Sequence, residues 1–409
     1  MAVKTLNMDE VRGSFPALSS AQVFLDNAGG SQALGSVAER VKDYLLNTNV
    51  QLGATYSTGK EATRCYAEGY AAAAKYINAS RDEIVLGSST TQLFRNVSYA
   101  LDFDEGDELI VSALDHEANI APWVDLAKRQ KLLLKWWLPS DSSSSSKTNP
   151  KLLASDLESL LSDKTRLITC THASNILGTI HDIKSIAEVV HSRSPKALLC
   201  VDAVAYAPHR EIDVKDLGVD LYAYSWYKVY GPHLSMLYAS PRAFEQLQSL
   251  GHFFNPQATL EQKLALAGSS YELVSAIPAV VEYIGTGTTT TKWAGIVAQE
   301  HQLAEDLLSY LNARDDVTVW GETSADPALR VPTVSFTVKG RSSRQLVETV
   351  EKETNFGFRW GSFYSVRLVE QILGLGEDGV VRVSMVHYNT VVEVTALIAA
   401  LDSVLARGE

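Results

Sequence analysis

The chain has 409 residues, 46% of them hydrophobic and 21% charged, a balance that excludes a disordered or fibrous protein and predicts two domains. Its 36 Lys and Arg against 48 Asp and Glu leave a net charge of −12, which argues against nucleic acid as the partner, because phosphate backbones require a basic footprint. No apolar run reaches the ~18 residues of a membrane helix, the first residues lack a signal-peptide pattern, and three cysteines make no disulfide framework, so a cytoplasmic protein without a membrane partner is expected.

In chain order, Val37–Leu46 and Ala62–Tyr76 carry the spacing of amphipathic helices. Short apolar runs at Glu83–Leu86, Glu108–Val111, Leu132–Trp136, Leu167–Thr171, Leu198–Val201 and Leu221–Tyr224 read as strands. Helical stretches at Thr91–Ala100, Ala121–Arg129, Ser155–Leu161 and Ile183–His191 fit between them. This alternation predicts an α/β fold with a mostly parallel, doubly wound central sheet and ligands at its carboxyl edge. Asp141–Asn149, with serines at Ser142–Ser146, reads as a polar loop. Beyond about residue 260 the texture changes. Ser275–Ile284, Ala294–Leu311 and Arg344–Thr354 look helical, and Val317–Trp320, Thr333–Val338 and Val380–Met385 look like strands. A large domain over 21–290 and a smaller α+β domain from 1–20 and 291–409 are expected.

Some motifs fail their context. Gly374-Leu375-Gly376-Glu377-Asp378-Gly379 fits GxGxxG but precedes a strand-like run, so it lacks the helix N-terminus that a pyrophosphate needs. Cys170 and Cys200 fall inside apolar strands and read as inert buried thiols. Cys65 lies on a helix without a partner at metal-ligand spacing, and no metal is expected.

The most informative segment is Asp220–His233. A strand ends at Ser225, followed by the aromatic-flanked Lys228 and by Gly231-Pro232, while upstream Asp202 closes another apolar strand. Each alone is commonplace: a lysine past a strand is often a solvated charge, and an acid ends many strands. Together they fit the chemistry of pyridoxal phosphate, with the lysine as Schiff-base amine and the aspartate keeping the pyridine nitrogen protonated. A buried carboxylate favours that charged ring, and burial lowers a lysine from its reference pKa of ~10.4.

Other candidates join them. Ser88, Ser89 and Thr90 follow a strand and open a helix, where they either hold a phosphate or serve as a plain cap. His116 either stacks on a ring or is an ordinary surface histidine. Asn175 ends a strand with an amide that suits a phenolic oxygen. Arg382, inside an apolar strand, is either a fork for a substrate carboxylate or one half of an ion pair.

Along nearly the whole chain, segments stand in one familiar order: Phe24-Leu25-Asp26-Asn27-Ala28-Gly29-Gly30, His116-x-Ala118-Asn119-x-x-Pro122-Trp123, Ser174-Asn175-x-Leu177-Gly178, Val201-Asp202, Ser225-x-x-Lys228-x-x-Gly231-Pro232 and Arg382-x-Ser384-x-x-x-Tyr388-Asn389. The set resembles the class V aminotransferase branch of the fold-type I pyridoxal-phosphate enzymes, which includes the cysteine desulfurases. The resemblance implies Lys228, His116 and Asp202 as catalytic residues. It implies Ser88, Ser89, Thr90, Asn175, Ser225, Tyr227 and Ser269 as further cofactor ligands. Arg382, Arg359, Tyr364 and Asn27 are implied on the substrate side. It also implies a homodimer with sites near the interface, Ser269 lying where a partner chain contributes to the phosphate.

Departures narrow the chemistry. Desulfurases carry a cysteine on a loop well after the lysine. Here no cysteine follows Cys200, and Arg359-Trp360-Gly361-Ser362-Phe363-Tyr364 puts an aromatic residue in its place, so persulfide formation lacks a nucleophile. Tyr227 and Ala205 replace a usual histidine and glutamine. Asn47–Tyr56, Leu93–Asn96 and Ser225–Lys228 make the chain similar to the cysteine-free members, in particular to the class V enzyme of loline alkaloid biosynthesis. That implies Cα-carbanion chemistry on a small-molecule α-amino-acid substrate, ending in a Mannich-type carbon–carbon cyclisation in alkaloid or other secondary metabolism. A β- or γ-eliminating carbon–sulfur lyase is the alternative.

Overall fold

The structure is a computed structural model that describes residues 6–139, 147–286 and 291–407; most of the expected Asp141–Asn149 loop, including Ser142–Ser146, lies outside them. In chain order the strands are β1 (Val23–Phe24), β2 (Ile84–Gly87), β3 (Glu108–Ser112), β4 (Leu133–Trp137), β5 (Thr165–Thr171), β6 (Leu198–Asp202), β7 (Leu221–Ser225), β8 (Ser235–Ala239), β9 (Val317–Trp320), β10 (Thr333–Val338), β11 (Phe356–Gly357), β12 (Arg359–Gly361) and β13 (Val380–Ser384). Seven of them form one sheet in the order β2-β8-β7-β6-β5-β3-β4. Only β8 runs against its neighbours β7 and β2. The α/β class and mostly parallel sheet are therefore as expected. β8 was not anticipated, because it begins only a few residues after Lys228 and its apolar run merges with the lysine loop.

Period-two alternation places this sheet between two apolar layers. Ile110, Ile168, Leu199, Val201, Tyr222 and Tyr224 face one cluster, shared with the helices Ser57–Tyr76, Ile183–Arg193 and Ile277–Ile284. Leu109, Val111, Leu167, Leu198, Cys200 and Leu221 face the other, shared with the helices Thr90–Ala100 and Ala121–Gln130. The stretch expected as a helix over Ser155–Leu161 is a single short turn of helix, Ala154–Glu158. Cys170 and Cys200 are buried free thiols.

A second, four-stranded sheet runs β12-β13-β10-β9, antiparallel throughout, with its own core against the helices Trp293–Asn312 and Val391–Leu405. β1 pairs with β11, and Asp26 bridges to Ser384, so the chain near residue 26 lies against β13. Beyond it the chain crosses to the lysine loop, where Ser31 N donates to Tyr227 O (3.2 Å) and Leu34 N to Tyr230 O (3.0 Å). This crossing brings an acid of the N-terminal segment beside an arginine near the C-terminus.

Gly178 shows how closely the two sheets meet. Its φ is +69°, and a Cβ there would lie 2.3 Å from Thr333 O and 3.0 Å from Val331 O. Gly178→Ala should therefore destabilise the fold by about 2 kcal/mol or more. Thermal unfolding checks this, the expected result being a clearly lower Tm with the α/β circular-dichroism spectrum retained.

Candidate active site

The carboxyl ends of β2, β3, β5, β6 and β7 converge on one cleft. It is lined by Ser89, Thr90, His116, Asn175, Asp202, Ala205, Ser225, Tyr227 and Lys228, among others. Each residue arrives by a local rule. Ser89 caps the Thr90–Ala100 helix, its hydroxyl accepting from Gln92 N. Ser225 ends β7, and Lys228 closes the single turn Trp226–Lys228 that follows it. Asp202 is the last residue of β6, level with Thr171 on β5 and Ala223 on β7. A wider, open apolar groove lies alongside, lined by Val37, Val41, Leu45, Leu46 and the other side of Tyr227. The acid, the amine and the hydroxyls are all in the smaller cleft.

Burial decides the electrostatics. Desolvation pulls the Lys228 amine down to about 8, helped by Arg382 and opposed by Asp202 and Asp26. Burial pushes Asp202 up to about 6, opposed by a hydrogen bond from Val204 N (2.9 Å) and by Lys228. Among the described residues, neither charge has an ion-pair partner within contact distance. His116 is held down to about 4 by burial, then by Lys228 and Arg382, so it is neutral near pH 7. Its Nδ1 accepts from Ala118 N (3.0 Å), which leaves the proton on Nε2.

Beneath it, Trp123 Nε1 donates to Asn119 Oδ1 (2.9 Å) and Asn119 Nδ2 to Asp115 Oδ1 (2.6 Å), one helical turn linking the His-Ala-Asn-Pro-Trp spacing. Burial raises Asp115 to about 7. The turn after Asp202 is fixed by Tyr206, whose ring stacks on His172 at 3.5 Å.

The cleft fits pyridoxal phosphate. Thr90 and Ser225 hydroxyls lie 2.9 Å apart, with Ser235 2.7 Å from Ser225, at the N-terminus of an 11-residue helix, a place for a phosphate dianion. Asp202, buried and bonded among the described residues through one side-chain oxygen, suits a pyridinium nitrogen. Lys228 supplies the amine.

On the substrate side, Arg382 is buried in β13. Its Nη2 donates to Asp26 Oδ1 (2.6 Å), its Nη1 to Asn175 O (3.1 Å), and its Nε has no partner. Phe363 lies under its face at 3.6 Å. Arg359 pairs in register with Arg382 across β12 and β13, and reaches Asp26 at 3.6 Å. It is well exposed, as is Tyr364, whose ring lies 5.4 Å from that of His116.

Other expected residues sit differently. Asn27 does not line the cleft: its amide nitrogen donates to Phe24 O, Ser384 O and Asn389 Oδ1, and its oxygen accepts from the Tyr388 hydroxyl, leaving nothing for a substrate. Asn175 lines the cleft, and its amide holds the neighbouring turn, Nδ2 donating to Phe363 O (3.1 Å) and Oδ1 accepting from the Ser365 hydroxyl (2.9 Å), which leaves the second Nδ2 hydrogen for a phenolic oxygen. Ser88 is exposed, with backbone and hydroxyl both on Gln92. Ser269 lies outside the lining, beside Tyr66. Asp26, Phe363 and Ser365 were not among the expected site residues; Asp26 and Phe363 stand in segments already singled out, whereas nothing local marks Ser365.

The chain is similar to several known proteins. A family profile described as aminotransferase class-V matches residues 23–397. The aminotransferase-like protein FGM3 of Gibberella zeae is 56% identical over 99% of this chain and 100% of its own. The cysteine desulfurase-like protein ustD of Aspergillus flavus is 39% identical over 98% of this chain and 91% of its own. The nonribosomal peptide synthetase-like enzyme fsqF of Aspergillus fumigatus is 40% identical over 97% of this chain, which spans 26% of that larger protein. Among solved structures, the apo cysteine desulfurase of Thermococcus onnurineus superposes with a TM-score of 0.86 at 23% identity, covering 99% of both chains.

The low pKa of Lys228 sets a pH signature. Because the folded value, about 8, lies below that of an ordinary lysine, the amine is half neutral at pH 8, where a free lysine is less than ~1% neutral. Reductive methylation of the cofactor-free protein, followed by peptide mass spectrometry, should show Lys228 reactivity rising through about pH 8, with surface lysines following near their ordinary value.

Proposed function

The chain belongs to the aminotransferase class-V family and is a pyridoxal phosphate-dependent enzyme, and from that premise we propose that it transforms an α-amino acid by a Mannich-type carbon–carbon cyclisation in secondary metabolism. The observation that carries the reading is the buried Arg382, whose charge acts on Lys228 and which is tied to Asp26 and Asn175 O with Nε unpartnered among the described residues, beside an aromatic turn, Phe363-Tyr364, where a desulfurase needs a thiol. The names of the relatives support the setting: one is a nonribosomal peptide synthetase-like enzyme of a fungus.

When bound, the cofactor supplies an electron sink for a carbanion at the substrate Cα. Ser89, Thr90, Ser225 and the helix N-terminus would hold its phosphate. Asp202 would keep the ring nitrogen protonated from a buried position, its charge shared with Val204 N and the field of Lys228. His116, neutral and fixed through Nδ1, offers its ring as a cap on one face. The Lys228 amine, already near half neutral at pH 8, takes and returns the Cα proton. Arg382 receives the α-carboxylate, which orients the bond to be broken. We further read the chain as a cytoplasmic homodimer, with 21–290 carrying the cofactor and 1–20 plus 291–409 forming the smaller domain. Among the described residues no helix is long and apolar enough to cross a membrane.

The same proton transfer also serves a β- or γ-eliminating carbon–sulfur lyase, so the product decides between the two. A screen of amino acids by the visible spectrum of the loaded enzyme, with mass analysis of products, should find a ring-closed product that contains the amino-acid skeleton. Release of sulfide with a keto acid would assign the lyase instead. In either case, serine at Cys65, Cys170 and Cys200 together should leave turnover within about threefold, packing losses being ~1 kcal/mol per buried site. A persulfide found on any of these thiols during turnover would overturn the reading.

A further inference from the structure

The turn Ser362–Ser365, so far noted only for lacking a thiol, is tightly tied to its surroundings. Phe363 and Tyr364 are consecutive non-glycine residues in the left-handed region, at φ 48° and 60°, following Gly361 at 121°. L side chains adopt that region reluctantly, so such a turn keeps its shape only if its surroundings hold it. They do. Glu117 N donates to Tyr364 O at 2.8 Å. Asn175 clamps the rest with both ends of its amide, Nδ2 to Phe363 O at 3.1 Å and Oδ1 from the Ser365 hydroxyl at 2.9 Å. The product of this clamp is the Phe363 ring, placed 3.6 Å from the centre of the Arg382 guanidinium and 5.4 Å from that of Arg359.

We propose that the Ser362–Ser365 turn is a positioning element of the substrate site: latched by Asn175, it sets the Phe363 ring under Arg382 so that the guanidinium meets a substrate carboxylate edge-on. A guanidinium donates only in its own plane. With a ring on one face it cannot tilt, and its edges become the sole approach. One in-plane donor is spent on Asp26 and another on Asn175 O, while the buried Nε has no partner. The plane that Phe363 enforces therefore determines where a carboxylate docks, and with it the torsion about the Cα–N bond. Asn175 acts through Phe363 and is a positioning residue here. This inference rests on the proposed assignment of Arg382 as the carboxylate fork.

Two measurements test it. In the cofactor-free protein, amide hydrogen exchange over 361–366 reads the latch directly. Asn175→Ala and Ser365→Ala should each speed exchange there by ~10-fold or more, with β5 and β13 unchanged. In the loaded enzyme, the cofactor's visible band is titrated with L-alanine and with ethylamine, which lacks the carboxylate. Phe363→Ala should weaken L-alanine ~10-fold and ethylamine by less than ~2-fold, and Phe363→Tyr should restore the difference, whereas Phe363→Leu should not. Unchanged exchange in both latch variants overturns the proposal, as does a Phe363→Ala protein that binds L-alanine like wild type or loses both amines equally. A wild-type protein with no cofactor band would instead sink the proposed function, and the exchange measurement would still decide the latch.

Discussion

An amine and a carboxylate are kept out of water in the same cleft, at the ends of adjacent strands β7 and β6, and are not allowed to pair. Contact between Lys228 and Asp202 would cancel both charges and raise the amine's pKa. Separation leaves each paying for its own desolvation, which lowers Lys228 to about 8 and raises Asp202 to about 6. The strands hold them apart: Asp202 is fixed in register on the sheet, while Lys228 sits beyond β7 on a separate turn. The cost is met by the sheet's two apolar layers, which bury the supporting strands completely.

The remainder of the site completes what that pair leaves open. The hydroxyl cluster of Thr90, Ser225 and Ser235 joins three strand ends or helix starts into one anion cradle. His116 is fixed in one tautomer by its own backbone turn and stays uncharged, so it adds no competing cation beside Lys228. On the far wall the N-terminal segment returns beside β13, so Asp26 neutralises one of two facing arginines, Arg359 and Arg382. A wall with two cations and one anion keeps a net attraction for a carboxylate without filling the cleft with unpaired charge.

Much of this was legible in the sequence because parallel strands buried on both faces are near-continuous apolar runs, and a parallel sheet puts their ends at one edge. Lys228, Asp202, His116 and Ser225 were found by asking which polar residues sit just past such runs. What stayed hidden depends on distant contacts. Asp26 and Arg382 are adjacent only because β13 and the N-terminal segment meet. Asn27 read as a substrate ligand, and its amide is consumed by Ser384, Asn389 and Tyr388 from the other end of the chain. Asn175 read correctly as a residue of the cleft, but its commitment to Phe363 and Ser365 depends on a left-handed turn that no local pattern announces. β8 was lost to its closeness to the lysine loop.

The buried carboxylate of Asp202 should hold a cation at the ring nitrogen of the cofactor. Equilibrium binding of pyridoxal phosphate to Asp202→Asn, compared with the unaltered protein at pH 8, tests it most directly, since the amide keeps the shape and removes the charge. Loss of a charge-assisted hydrogen bond worth about 1.5–3 kcal/mol should weaken binding by ~10- to 100-fold, with the fold and Tm of the cofactor-free protein preserved or improved. Equal affinity in the two proteins would contradict the account, and would make Asp202 a buried acid with no part in holding the cofactor.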